Sequence, residues 1–291
     1  MNSAFKSIGL FIRKDDPVME KAVIQVTEFL LSRSLTVFVN EPLPFLDELD
    51  VISINDFAQS CDLTIAIGGD GTLLSASRAL SGSELPIVGI NIGRLGFLAD
   101  ITLAKLEQQL SEVLAGHYRE DTRFLMHASI NNEGNEQAVG KAMNDVVIHA
   151  YQSLHMIEFE TYINGRFLNS QRADGFVVAT PTGSTAYAMS AGGPILDVDL
   201  DAFVLASVCP HTLSNRPLVV AASSVIDIFL SENNTSSAMV TCDGRPGHIV
   251  QPGDSIRIER YPSNIKLLHL EDHDHYSILR AKLEWGRKLT C

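Results

Sequence analysis

Basic residues are scarce: 22 Lys and Arg against 35 Asp and Glu leave a net charge of -13. Neither nucleic acid nor an anionic membrane surface attracts so acidic a chain, which excludes a general binder of either. A polyphosphate ligand stays open, because it needs only a local positive site. No apolar stretch reaches the roughly 18 residues of a membrane-spanning helix. The run Ile8 to Ile12 is too short for a secretory h-region, and no small-residue cleavage site follows it. Four cysteines occur, Cys61, Cys209, Cys242 and Cys291, at spacings that suit neither a disulfide framework nor a metal site. These absences predict a reduced, cytoplasmic protein. There is also no Gly-x-x-x-x-Gly-Lys-Ser/Thr loop, which excludes a P-loop kinase.

What is present suits a globular protein of 291 residues, long enough for two domains, with 45% apolar and 20% charged residues. The first hundred residues alternate strand and helix signals: strands at Ser7–Ile12, Leu35–Val39, Asp62–Ile67 and Pro86–Asn91, and an amphipathic helix over Asp15–Ser32. Such alternation predicts an α/β domain with a doubly wound, mostly parallel sheet and ligands at the carboxyl ends of its strands. A helix over Thr102–His117, capped by Thr102, closes this part. Beyond about residue 120, strand-like segments separated by turn signals such as Asn164-Gly165 and Pro252-Gly253-Asp254 predict a β-sandwich-like domain. The expected division is 1–118 as the ATP- and phosphate-binding domain and 119–276 as a β-rich dinucleotide domain. A helical tail, about 277–291, is expected to pack back on the first.

The most informative residues are Gly68-Gly69-Asp70-Gly71-Thr72, between the apolar run Leu63–Ile67 and the helical spacing of Leu73–Leu80. Strand, glycine-rich turn and helix start together make an anion site: backbone comes close to the ligand and amides point at phosphate. The tetrad alone also fits a tight turn. Asp70 argues for more, since a carboxylate in a phosphate cradle repels the ligand unless a metal bridges them or the acid does chemistry. A second strand end carries Asn91 through Leu98.

Two polar stretches interrupt the β half. Asn144-Asp145 opens an apolar run; the pair can grip ribose hydroxyls or a base amino group, or simply turn the chain. Arg172-Ala173-Asp174-Gly175 leads through a strand to Thr180-Pro181-Thr182-Gly183-Ser184-Thr185-Ala186-Tyr187, with Gly192-Gly193-Pro194 beyond. Hydroxyls and amides there can bond a nucleoside, with Tyr187 packed on it; a capping segment is the alternative.

Together these residues, over roughly 60–250 and in the family's order, resemble the NAD kinases, most of all the bacterial form. Gly-Gly-Asp-Gly is shared with diacylglycerol and sphingosine kinases; the Thr-Pro-Thr-Gly-Ser-Thr-Ala-Tyr segment is specific to NAD kinases. The resemblance implies transfer of the ATP γ-phosphoryl group to the adenosine ribose 2′-hydroxyl of NAD. Asp70 would be the general base, and Gly68, Gly69, Gly71 and Thr72, with Asn91, the phosphate cradle. Asn144 and Asp145 would hold NAD, with His155, Arg172 and Asp174 nearby. Thr182, Thr185, Ala186, Tyr187, Ala188, Met189 and Ser190 would bind the second nucleoside portion. The fold would be that of the NAD kinase and diacylglycerol kinase group, with Mg²⁺ or another divalent cation required. A homodimer or homotetramer is implied, a neighbouring subunit contributing to the site. No nucleic acid, membrane or protein-bound metal residue is expected. Two positions depart from the family pattern: Asp145, where many members have Glu, and Arg245, in Cys242-Asp243-Gly244-Arg245, where an amide is expected. Arg245 would meet a phosphate.

A diacylglycerol-type lipid kinase is the rival enzyme, but it would lack both Asn144-Asp145 and the Thr182–Tyr187 loop. A silent dinucleotide sensor is the rival of another class, and it would have no use for Asp70. His269, His273 and His275, among Glu271, Asp272 and Asp274, read as a solvated turn, His211 as structural, and Asp197, Asp199 and Asp201 as a surface loop. Arg94 reads either as an ATP-phosphate contact or as a subunit contact.

Overall fold

The computed structural model describes residues 3–13, 17–93, 96–132, 134–153 and 155–285. Asp15, Arg94, Leu95 and Cys291, named above, lie outside the described residues. Two compact units divide the chain: residues up to Thr122 with those from Ile265 on, and Arg123–Asn264.

In the first unit β1 (Ser7–Ile12), α1 (Pro17–Ser32), β2 (Thr36–Val39), β3 (Asp50–Val51), α2 (Ile54–Ser60), β4 (Leu63–Gly68), α3 (Asp70–Ala79) and β5 (Ile87–Asn91) alternate. The short β6 (Ile101–Thr102) and α4 (Leu106–Leu114) follow. The parallel sheet runs β3-β2-β1-β4-β5, and every residue of β4 and β5 is buried. Burial on both faces is why these strands read as unbroken apolar runs. The core joins Ile8, Leu10, Ile65, Ile67 and Ile90 to Val23, Val26 and Leu30 of α1 and Leu110 and Val113 of α4.

The helix expected from Thr102 begins later. Thr102 pairs with Asn91 in the sheet, and its amide donates to the Gln109 side chain at 3.0 Å. Its hydroxyl also faces the Gln109 side-chain oxygen, at 3.5 Å, and makes no capping bond; a 3₁₀ turn, Leu103–Lys105, intervenes before α4.

The second unit is built from β7 (Arg119–Asn132), β8 (Asn135–Ala142), β9 (Asp145–Ala150), β10 (Ile157–Ile163), β11 (Arg166–Ala173) and β12 (Gly175–Ala179). After the one-turn helix α5 (Tyr187–Ser190) come β13 (Ala202–Val208), β14 (Leu218–Ala221), β15 (Ile226–Leu230), β16 (Ala238–Cys242), β17 (His248–Val250) and the long β18 (Ser255–His269). Asn164 and Gly165, at φ 52° and 73°, make the tight β10–β11 turn that the sequence signals. One antiparallel sheet runs β14-β13-β12-β9-β16-β17; another carries β11-β10-β15-β18. Phe176, Val146 and Ile148 of the first meet Phe159, Ile228 and Ile256 of the second in one core, the sandwich arrangement. The chain returns to the first unit with α6 (His275–Leu283). Among the described residues no helix is long and apolar enough to cross a membrane.

Candidate active site

The turn between β4 and α3 is shaped by its glycines. Gly68 has φ 156°, and a side chain there would strike the Thr72 hydroxyl. Gly69 caps α3, its carbonyl accepting the amides of Thr72 at 2.9 Å and Leu73 at 3.2 Å. A Cβ on Gly69 or Gly71 would meet nothing within 4 Å. The chain itself therefore makes no steric demand for glycine there, and the open space fits a ligand drawn close to the backbone. The first amides of α3 have no intrahelical partner and carry the positive end of its dipole.

Asp70 stands in the first turn of α3. Its carboxylate accepts the Phe97 amide at 2.7 Å and the Leu98 amide at 3.1 Å. Gly96 allows that approach, because a Cβ at this position would collide with the Asp70 carboxylate. The Ile92 amide donates to the Gly68 carbonyl at 2.9 Å, and buried Asn91 accepts the Gly93 amide at 2.9 Å. Gly68–Thr72, Asn91 and residues 96–98 thus form one polar site at the carboxyl ends of β4 and β5.

In the second unit Asn144 precedes β9 and Asp145 opens it, and both are fixed by Asp243, to which the sequence alone assigns no role. The Asp243 carboxylate accepts the amides of Met143 at 3.0 Å, Asn144 at 2.8 Å and Asp145 at 3.2 Å. The Thr180–Ser190 segment closes over the same corner. Thr180 donates its hydroxyl to the Met143 carbonyl at 2.5 Å and its amide to the Asn144 carbonyl at 2.9 Å. Gly183 lies so near Asn144 that a Cβ would overlap that carbonyl. Buried Arg123 donates to the Thr182 hydroxyl at 3.1 Å. Burial and the neighbouring Asp243 charge push Asp145 up to about 7, although the Tyr187 amide hydrogen-bonds its carboxylate and opposes the rise. Tyr187 is 44% exposed, and Thr185, Ala186 and Met189 are half-buried. Ala188 instead packs in the core with Val147, Val177 and Val204.

Three residues expected beside Asn144-Asp145 are not there. In the β9–β12 register Asp145 pairs with Ala179 whereas His149 pairs with Gly175, so Asp174 lies beyond the opposite end of β12. Five residues of strand separate Asp174 from Ala179, about 16 Å. Arg172 is at that far end too, within 4.0 Å of Glu158, lining a 640 Å³ cavity with His211 and Arg216. Exposed His155 follows β9 at its far end. Exposed Arg245 ends a tight turn in which Asp243 and Gly244 have φ 49° and 65°.

A further correction concerns His269 and His273, read from sequence as solvated. Their side chains are 1% and 2% exposed, and the Nδ1 of each meets Asp100 Oδ2, at 2.5 Å and 2.9 Å. The polar residues around them in sequence hid this burial, since the partner is far away in the chain.

The model of the ATP-NAD kinase N-terminal domain matches residues 8–118, and that of the ATP-NAD kinase C-terminal domain matches 143–270. The chain belongs to the NAD kinase family. A NAD kinase of Nitrosococcus oceani is 51% identical over 292 residues, spanning 99% of this chain and 100% of its own. One of Pseudomonas syringae pv. syringae is 44% identical over 288 residues, spanning 98% and 97%. Two solved NAD kinase-type structures share the fold. Yeast NADH kinase complexed with NADH superposes with a TM-score of 0.87 at 24% identity, covering 98% of this chain and 90% of its own. A NAD kinase from Archaeoglobus fulgidus in complex with ATP does so with a TM-score of 0.74 at 24% identity, covering 96% and 98%. At that identity the superpositions speak for the α/β and β-rich architecture alone.

Proposed function

We propose that the protein is an ATP-dependent NAD kinase that phosphorylates the adenosine ribose 2′-hydroxyl of NAD, giving NADP and ADP. The observation that carries this reading is the Asp70 carboxylate, held by the Phe97 and Leu98 amides at the head of α3. A ribose hydroxyl is a poor nucleophile until its proton has a destination. Asp70 accepts that proton as the oxygen forms its bond to the γ-phosphorus and the bond to the bridging β–γ oxygen breaks. A positioned base of this kind contributes about 10²- to 10⁴-fold. The Gly68–Thr72 turn cradles phosphates through its amides, and positioning supplies much of the remaining acceleration.

NAD is held by Asn144 and Asp145, fixed by Asp243, with the Thr182–Ser190 segment about the second nucleoside. Each Asp70 oxygen spends one lone pair on an amide and keeps another, which fits both a hydroxyl and a divalent cation. Asp70 is the carboxylate of the turn that would hold Mg²⁺ bound with ATP, which would supply neutralisation of phosphate charge.

The reading includes a homodimer or homotetramer. Arg172 and Asp174, remote from Asp145 within one chain, then serve the site of a neighbouring subunit, as His155 does. Cytoplasmic location belongs to it as well, supported by Cys61 and Cys209 standing in no disulfide. The test is NADP formation by the purified protein with NAD, ATP and Mg²⁺, read with an NADP-specific dehydrogenase. Absence of NADP beside intact NAD binding would instead identify a sensor.

A further inference from the structure

Asp70 is oriented by two amides of a short segment, residues 96–98, so whatever fixes that segment fixes Asp70. The segment is gripped at two points by the C-terminal part of the same unit. At its end, Asp100 Oδ2 receives Nδ1 of His269 at 2.5 Å and of His273 at 2.9 Å, the two imidazoles stacked with centroids 4.0 Å apart. The far nitrogen of His269 lies 3.6 Å from Asp121 Oδ2, so this ring stands between two carboxylates. Burial pushes the Asp100 carboxyl up, but the hydrogen bonds and charge of His269 and His273 outweigh it and hold it down to about 2. Three residues earlier, Lys282 of α6 places its ammonium over the Phe97 ring at 5.1 Å. Helix α6 is seated beneath by buried Ile278 and Leu279.

A metal reading of Asp100, His269 and His273 fits this geometry poorly. Donor atoms sharing a tetrahedral zinc ion at about 2.0–2.1 Å stand roughly 3.3 Å apart, whereas here nitrogen and oxygen are in direct hydrogen-bond contact. We propose that the C-terminal segment is a positioning device for Asp70: His269 and His273 acting through Asp100, and Lys282 acting through Phe97, hold the two amides that aim the carboxylate. The inference rests on Asp70 being the base, and adds that the base is assembled by the segment from His269 to Lys282.

The test compares His273→Ala, His273→Asn and Lys282→Ala in steady-state kinetics, with thermal melting alongside. Lys282 is exposed, so its variant keeps the fold even where a cluster variant loses it. His273→Ala should lower kcat at least ~10-fold with KM for ATP and NAD within ~2-fold. His273→Asn, which keeps a donor where Nδ1 stands, should recover most of that loss. Lys282→Ala should lower kcat ~3-fold or more. In the Asp70→Asn background, His273→Ala should cost no further turnover. Wild-type kcat in both His273→Ala and Lys282→Ala overturns the proposal. So does a fall in kcat that follows melting temperature alone and that His273→Asn does not reverse. An inactive Asp70→Asn beside a fully active His273→Ala overturns the positioning role alone. An active Asp70→Asn overturns the base, and the positioning role with it.

Discussion

The Asp243 carboxylate accepts the Asn144 amide at 2.8 Å across 99 residues of sequence. With the Met143 and Asp145 amides on the same side chain, it sets the backbone of the pair assigned to NAD. Hydrogen bonds to a charged group contribute about 1.5–3 kcal/mol. Asp243→Ala should therefore raise KM for NAD by roughly 10-fold or more, leaving KM for ATP within ~2-fold; Asp243→Asn, which keeps one acceptor, should lose less. An equal rise in both constants would contradict the assignment.

Gly96 supplies a second test. Its backbone passes so near the Asp70 carboxylate that a methyl group would overlap it. Gly96→Ala should displace the carboxylate from the Phe97 and Leu98 amides and cut kcat by at least ~10-fold, with a near-normal melting temperature. Unchanged turnover would show that Asp70 works in another orientation.

Stability should carry the signature of buried carboxylates. Asp145 is raised from 3.8 to about 7 by burial and by Asp243. Across that window the folded state binds the extra proton, so stability of the ligand-free protein falls as pH rises from about 4 to 7. The loss from this group is on the order of a few kcal/mol, and Asp145→Asn should remove it. Asp100 is lowered to about 2; its contribution is present above pH 4 and is lost as pH falls toward 2. Melting temperatures from pH 2 to 8 on the wild type and Asp145→Asn check both signs. A stability of the wild type that rises between pH 4 and 7 as steeply as that of Asp145→Asn would contradict the Asp145 part.

The first unit was largely legible in the sequence. Strands buried on both faces leave runs such as Leu63–Ile67, and a glycine turn between strand and helix has few structural uses. The Asn164-Gly165 turn was legible for the same local reason. What escaped depends on distant partners. Asp243 drew no role from its sequence because its three amide donors are about a hundred positions away. His269 and His273 looked solvated because their neighbours in sequence are acidic, while Asp100, which buries them, belongs to another part of the chain. Thr102 looked like the cap of an α-helix because nothing local signals the 3₁₀ turn Leu103–Lys105 that comes before α4. The family resemblance set Asp174 beside Asp145; the antiparallel register sets them at opposite ends of β12, a relation that no local pattern shows.

Everything proposed for the reaction turns on Asp70 taking the proton of the ribose hydroxyl. The most direct measurement is NADP formation from NAD, ATP and Mg²⁺ by the wild type and by Asp70→Asn, with NAD affinity determined by calorimetry on both. Turnover in the wild type, reduced at least ~100-fold in Asp70→Asn with NAD affinity largely intact, is the expected result. Near-normal turnover in Asp70→Asn would contradict the account.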